Sequence, residues 1–461
     1  MLAKNQVYEV EIIDNGYQGE GIAKIDNFPI FIQGAIKGER IEVKILKVLS
    51  NFAYGKIIKI LNESNKRKDI DCAVYPRCGG CSLRHIKYDY TLKLKKATVE
   101  NCLYKALNKQ VKVNDVIGMD NPLNYRNKLQ YPVGIDKNGE TLMGVYSERT
   151  HDIVPVKDCY IQDNKCNKIA NEVFEFIKEN NISAYNEKTL KGTVRHIVVR
   201  IGIKTGEVLV TIVVNDNNFK KDKELVQYLT NKYPNIKSIV KNYNMKNTNV
   251  ILGNKNEVIF GNGYIYDILE EYKFKISPLS FYQVNPVQTE KLYNTAIRFA
   301  DKEIPGENNN IPTQTALDLY CGIGTIGIFA AKKFKKVYGI EIVEQAIEDA
   351  KENAKINNIE NIEFYAGDVE KLLPEILKKI ENKPEIVFVD PPRKGLDNKT
   401  IEVLKRLCAK KIIYISCNPA TLARDLKLLE EKYEIGEVQP VDMFPYTSHV
   451  ECCALLCLKQ V

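Results

Sequence analysis

Asp318-Leu319-Tyr320-Cys321-Gly322-Ile323-Gly324-Thr325-Ile326-Gly327 ends one apolar run and opens a helical one. Glycines at 322, 324 and 327 let a ligand approach the backbone at the start of a helix. Glu341, at the end of the next apolar run, can accept hydrogen bonds from ribose hydroxyls. Working outward, strand-like runs at 316–320, 336–340, 362–366, 386–389 and 412–416 alternate with helical stretches from about residue 311. That alternation predicts an α/β doubly wound, Rossmann-like sheet.

The glycine loop alone fits NAD or S-adenosylmethionine equally. Asp318 precedes it, Asp368 follows the third strand where an adenine can be read, and Asp390 closes the fourth. Several carboxylates suit a donor that carries a sulfonium and no phosphate better than they suit a pyrophosphate. The competing reading makes them helix caps and turn residues of an ordinary α/β sheet.

Beyond the fifth strand stands Ser416-Cys417-Asn418-Pro419, with Asp390-Pro391-Pro392-Arg393 before it and His449-Val450-Glu451 after it. A thiol at the carboxyl end of a strand, a donor pocket and a late carboxylate suggest alkylation of a pyrimidine carbon. Carbon 5 of uracil is a poor nucleophile. A thiolate adding to carbon 6 activates it, and a base then removes the carbon 5 proton so that the thiol can leave. Cys417 suits the first role and Glu451 the second. Cys452, Cys453 and Cys457 lie in an apolar run and read as core.

The chain has 461 residues, 44% of them apolar, and a net charge of +8. This fits two to four globular domains. Residues 1–110 hold 19 Lys plus Arg against 12 Asp plus Glu, a surplus of 7. The excess points to a polyanionic partner such as nucleic acid. No apolar run reaches the roughly 18 residues of a membrane span, and residues 1–11 do not read as a secretory leader. The expectation is a cytoplasmic protein with no membrane partner and no obligate protein partner.

Period-two alternation at 8–12 and 41–45, punctuated by Gly16, Gly19, Gly21, Gly34 and Gly38, predicts a small five-stranded barrel near the amino terminus. Residues 62–71 read as a linker. Leu92, Leu94, Val99, Leu103 and Leu107 give a helical stripe. Between barrel and helix lies Cys72-x5-Cys78-x2-Cys81, with Cys159 as a possible fourth thiol and Cys166 as its competitor. Twelve cysteines in a cytosolic chain are not a disulfide framework. Four thiolates complete a cubane cluster or a tetrahedral zinc, and spacing does not choose between them.

Asp318-Leu319-Tyr320-Cys321-Gly322, Asp390-Pro391-Pro392-Arg393, Ser416-Cys417-Asn418-Pro419, His449-Val450-Glu451 and Ser280-Phe281-Tyr282-Gln283-Val284-Asn285 together resemble the RNA uracil-5-methyltransferase family, and residues 1–61 resemble its TRAM RNA-binding barrel. The resemblance implies three domains: an OB-like TRAM barrel (1–61), a central α+β iron–sulfur domain (72–270) and an α/β methyltransferase domain (271–461). It implies Gln283, Tyr320, Glu341, Asp368 and Asp390 as contacts to S-adenosylmethionine. It makes Cys417 the nucleophile and Glu451 the base. The ribosomal-RNA members place a [4Fe–4S] cluster on such cysteines, here Cys72, Cys78, Cys81 and Cys159, and Tyr125-Arg126-Asn127-Lys128 resembles the substrate-facing stretch, so that Arg126 and Lys128 hold RNA. The expected substrate is therefore a uridine of large-subunit ribosomal RNA.

Transfer RNA is the nearest alternative, its familiar bacterial enzyme lacking cluster and barrel. A cytosine-5 methyltransferase usually has Cys after the proline where this chain has Pro392-Arg393. A radical methylthiotransferase wants C-x3-C-x2-C. A non-catalytic iron–sulfur RNA-binding protein leaves Cys417 and the donor loop without a purpose.

Overall fold

The apolar runs that follow one another in the C-terminal half pair as parallel strands in the computed structural model, which describes residues 2–148, 150–302, 315–380 and 382–460. Met1 and residues 303–314, where the barrel and the regular α/β pattern were expected to begin, lie outside the described residues. The sheet runs in the order Ile362–Ala366, Lys336–Glu341, Thr315–Leu319, Ile386–Val389, Lys411–Ser416, Glu451–Leu458, Tyr433–Val441, Lys112–Val113. The first five strands are parallel. The strand order reverses direction at Thr315–Leu319, and such a switch point opens a ligand crevice at the carboxyl ends of the strands. Glu451–Leu458 inserts antiparallel to both neighbours.

Two apolar layers cover this sheet, one including Phe274, Leu292 and Phe388, the other Val99, Tyr414 and Leu426. The second layer recruits chain from far upstream. Helix Tyr88–Leu107 packs on helix Pro419–Leu429, and Lys112–Val113 pairs with Tyr433–Val441. The sequence reading placed both in the central domain; their burial partners lie more than 300 residues later. The buried face of the helix is Thr91, Lys95, Val99, Leu103 and Leu107, so Lys95 replaces the expected leucines in the stripe. Its ammonium is paired with the buried Asp442.

A second sheet, in the order Ile153–Pro155, Thr141–Tyr146, Lys128–Ile135, Val194–Ile201, Val208–Val214, Ile236–Tyr243, Lys255–Gly261, forms the central region. Val194–Ile201 and Val208–Val214 are buried at every position, the second a near-continuous apolar run and the first burying Arg195, His196 and Arg200 among its β-branched residues. Helix Asn164–Glu179 packs against Val194–Ile201 and Lys128–Ile135 and starts at Asp163, whose carboxylate accepts from the N–H groups of Lys165 (2.7 Å) and Cys166 (3.3 Å).

Among the described residues the amino-terminal sheet has six strands where five were expected, in the order Val7–Glu11, Arg40–Val48, Ala53–Asn62, Phe28–Ile32, Gly21–Ile25, Asp14–Asn15. The extra strand is the continuation of the first: the chain bends after Glu11, and the Ile13 N–H donates to the Ile22 carbonyl (2.8 Å), closing the barrel on itself. Alternate residues Ile41, Val43 and Ile45 point inward. Outside the barrel, Ile36 packs on Leu83 and Ile86, and the fully buried Glu39 accepts from Arg67 Nε (2.7 Å) and Nη2 (2.8 Å). No helix among the described residues is long and apolar enough to cross a membrane.

Candidate active site

The loop after Thr315–Leu319 is built by backbone that only certain residues tolerate. Tyr320 (φ 65°), Gly322 (φ 55°) and Gly324 (φ 81°) all occupy the left-handed region. Gly324 is also the N-cap of helix Thr325–Ala331, where a Cβ would sit 2.7 Å from the Phe364 ring. The Gly327 N–H donates to Asp318 Oδ2 (2.7 Å), and a Cβ at 327 would stand 3.0 Å from that same oxygen. Asp318 is thus the buried anchor of the loop. Its second oxygen is buried without a hydrogen-bond partner among the described residues.

Glu341 accepts from the N–H groups of Gly322 (3.2 Å) and Val343 (3.0 Å), which aims its carboxylate across the loop. Ile342 and Val343 beside it are 62% and 53% exposed, an apolar shelf that the sequence reading passed over. Asp368 caps helix Val369–Lys379 through the Glu370 N–H (3.1 Å). Tyr320 turns its phenol toward Thr400, so it offers the crevice its backbone. Asp390 sits at the end of Ile386–Val389, its N–H on the Leu319 carbonyl (3.3 Å).

The segment carrying Gln283 hangs between the two sheets. Asn127 donates from its backbone to the Val284 carbonyl (2.9 Å) and from Nδ2 to the Gln283 carbonyl (3.1 Å). Arg200 Nη1 donates to the Ser280 carbonyl (3.1 Å), and Ser280 Oγ donates to Asp349 (2.8 Å). The stretch containing Arg126 and Lys128 therefore runs directly beside the donor segment. Lys128 pairs across the sheet with Arg200. Burial, Arg200 and Arg126 together bring its ammonium down to about 7.

Cys417 follows strand Lys411–Ser416 and immediately precedes helix Pro419–Leu429, where Asn418 is the cap and Pro419 the first residue. The Asn418 amide and the Thr421 hydroxyl donate to the Arg393 carbonyl (3.4 and 3.2 Å), tying the Pro391–Arg393 turn to the thiol. Asp425, fully buried, accepts from the Leu396 N–H (2.8 Å) and the Tyr414 hydroxyl (2.6 Å) and pins the far end of that turn. Glu451 is buried at the start of the neighbouring antiparallel strand.

The electrostatics of the crevice are one-sided. Burial, Asp390 and Glu341 push Asp318 up to about 8; burial pushes Asp390 up to about 7. Burial and then Asp390 push Glu451 up to about 8, against the pull of Arg393. Burial, Glu451 and Asp390 hold the Cys417 thiol at about 11, although Arg393 opposes them. Crowded, half-neutral carboxylates and an unpartnered Asp318 oxygen fit a cationic ligand with an ammonium and a sulfonium. Arg393, quoted in the sequence only as part of a motif, is the cation at the thiol.

The cysteine loop is less complete. Cys72, Cys78, Cys81 and Cys159 are free and partly exposed; Cys81 senses the other three thiols, and Cys78 senses Cys159 and Cys72. Among the described residues, however, no three His, Cys, Asp or Glu side chains converge closely enough to hold a metal ion. The expected ligand shell is a neighbourhood rather than an assembled site. Cys166, the competing ligand, is buried in the central core.

Comparison with known proteins extends these observations over nearly the whole chain. Residues 87–459 match the family described as tRNA (Uracil-5-)-methyltransferase, and residues 3–58 match the TRAM domain. An uncharacterized RNA methyltransferase of Clostridium acetobutylicum is 46% identical over 458 residues, 98% of this chain and 97% of that protein. One from Staphylococcus aureus is 45% identical over 99% of both chains. The crystal structure of Pyrococcus abyssi tRNA (uracil-54, C5)-methyltransferase in complex with S-adenosyl-L-homocysteine superimposes with a TM-score of 0.76 at 28% identity, covering 97% of this chain and 99% of that one.

Proposed function

We propose, since this chain belongs to the tRNA (uracil-5-)-methyltransferase family and is an S-adenosylmethionine-dependent RNA uracil-5-methyltransferase, that Cys417 and Glu451 carry the reaction on a uridine of large-subunit ribosomal RNA. The observation that carries this reading is the meeting of Cys417 and Glu451 at the mouth of a carboxylate-lined crevice. The Cys417 thiolate adds to carbon 6 of the flipped uracil. The enolate so formed takes the methyl group at carbon 5, with S-adenosylhomocysteine leaving. Glu451 then accepts the carbon 5 proton, the carbon 5–carbon 6 double bond re-forms and the thiolate is expelled. Arg393 supports the thiolate.

Asp318, Glu341 and Asp390 face the positive donor, and Gln283, Tyr320 and Asp368 complete its surround on this reading. Arg126 and Lys128 hold the RNA backbone: a phosphate would restore the ammonium charge that burial and neighbouring cations suppress. Residues 1–61, 72–270 and 271–461 act as RNA-binding barrel, cluster-bearing centre and methyltransferase, with Tyr88–Leu107 and Lys112–Val113 of the centre packed into the methyltransferase. On this reading Cys72, Cys78, Cys81 and Cys159, all free thiols, would hold a [4Fe–4S] cluster once the loop draws them together. Its chemistry there would be structural, because four thiolates leave iron no open position.

Transfer RNA is a second reading. The Pyrococcus protein acts on transfer RNA and matches this chain along 97% of its length, so the barrel does not separate the two substrates. The decisive experiment is mass spectrometric mapping of 5-methyluridine in ribosomal and transfer RNA from cells with and without this protein. A methyl group lost from large-subunit ribosomal RNA supports the first reading. Loss confined to transfer RNA replaces it with the second.

A further inference from the structure

We infer that Tyr17, a residue of the amino-terminal barrel, is a substrate-positioning residue of the methyl-transfer site, seating a nucleobase of single-stranded RNA against Cys417. This rests on the uracil methyltransferase reading above. The Tyr17 hydroxyl donates to Asn418 Oδ1 (3.2 Å), one residue from the thiol and 401 residues away in sequence. The same oxygen accepts from the Ala420 N–H (3.1 Å), so the barrel is latched to the cap of a rigid helix.

The loop that carries Tyr17 is itself preorganised. Gly16 N–H donates to the Glu20 carbonyl (2.7 Å), Gly19 N–H to the Gly16 carbonyl (3.0 Å), and Gln18 N–H to Glu20 Oε2 (2.9 Å). The Tyr17 side chain nevertheless belongs to no apolar core, and the residue is 47% exposed. It presents its ring to a cavity of about 530 Å³ that is also lined by Phe31 and Tyr54 of the barrel, Cys81, Arg393 and Cys417.

The chemistry of that cavity selects its occupant. Phe31 and Tyr54 lie 6.4 Å apart, each edge-on to Phe52 at 5.4 Å, a braced aromatic wall. Aromatic faces, a guanidinium and a nucleophile in one cleft suit unstacked bases on a phosphate backbone, because every base has a π-face to stack. The target uridine must leave its helix to reach a thiol. Tyr17 stands where it would arrive. The barrel is then part of the reaction centre as well as a grip.

The test uses the full-length protein and the RNA whose uridine the mapping identifies, with a 5-fluorouridine copy to trap the adduct. At saturating RNA, Tyr17→Ala should slow single-turnover methylation and adduct formation by about tenfold, within the range of one lost base–aromatic stack. RNA affinity should change less than about threefold, and S-adenosylmethionine affinity should not change. Tyr17→Phe keeps the ring and should recover most of the lost rate. Wild-type rates in Tyr17→Ala would overturn the inference, as would a loss confined to RNA affinity or a Tyr17→Phe variant as slow as Tyr17→Ala. Absence of methylation by the wild-type protein would strike the enzyme reading instead.

Discussion

Cys417 and Glu451 each adjoin the last bridged pair of an antiparallel ladder. The last bridged pair is Ser416 with Cys452, and one step further along each strand brings the thiol opposite the carboxylate. The proximity is felt electrically, because Glu451 is second only to burial in raising the Cys417 thiol. On the proposed mechanism, nucleophile and base thus sit side by side at the end of one ladder.

Replacing Cys417 by alanine removes the atom that activates the uracil. Methyl transfer should fall by at least about 10⁴-fold, the scale seen when a covalent nucleophile is deleted. Binding of RNA and of the methyl donor should be kept, because Cys417 caps no helix and forms no core. Turnover near the wild-type level would remove the covalent mechanism.

Glu451→Gln should separate the two halves of the reaction. The amide accepts no carbon 5 proton, so a methylated protein–RNA adduct should accumulate on a denaturing gel. The same change removes a negative neighbour of the thiol and should lower the Cys417 value from about 11. Adduct formation should therefore be faster than in the wild type above pH 8, where the native Glu451 is ionised. In the wild type, release from a preformed adduct should speed up as pH rises through about 8, since the base acts in its ionised form. An adduct-free Glu451→Gln enzyme that turns over normally would reassign the base.

Protein purified without oxygen should be brown and carry about four irons per chain with matching acid-labile sulfide. Cys81→Ser should lose the colour. Stoichiometric zinc in protein made with ample iron would overturn the cluster.

Glu39→Ala should loosen the barrel's attachment. Glu39 also accepts from the N–H groups of Ile36 (2.8 Å) and Ser64 (3.4 Å), and its removal strands Arg67, which is 12% exposed. Breaking a buried ion pair from one side costs about 3–5 kcal/mol. Thermal unfolding followed by circular dichroism should show an earlier transition. An unchanged curve would mean that the pair contributes little to barrel stability.

The parallel sheet was legible because its information is local. The apolar run at 386–389 buries both faces and that at 336–340 buries one and half-buries the other, and Gly322, Gly324 and Gly327 mark the turn expected to approach a ligand. Cys417 and Glu451 stood out as candidates for a different reason, the chemical rarity of a thiol and a late carboxylate beside a glycine loop. Lys95 was not legible, because a charge in an apolar stripe makes sense only with Asp442, 347 residues away. Nor was the bend after Glu11 that adds a sixth strand to the barrel.

Residue type and spacing along the chain were enough to specify the doubly wound sheet, its glycine loop and the methyltransferase family. Periodicity and side-chain reactivity are properties of a few neighbouring residues. Only the folded chain decided that Glu451 faces Cys417, that Tyr88–Leu107 belongs to the catalytic layer, and that Tyr17 reaches Asn418. Those are contacts between segments hundreds of residues apart, set by strand register and by which apolar faces find each other, and no local pattern encodes them.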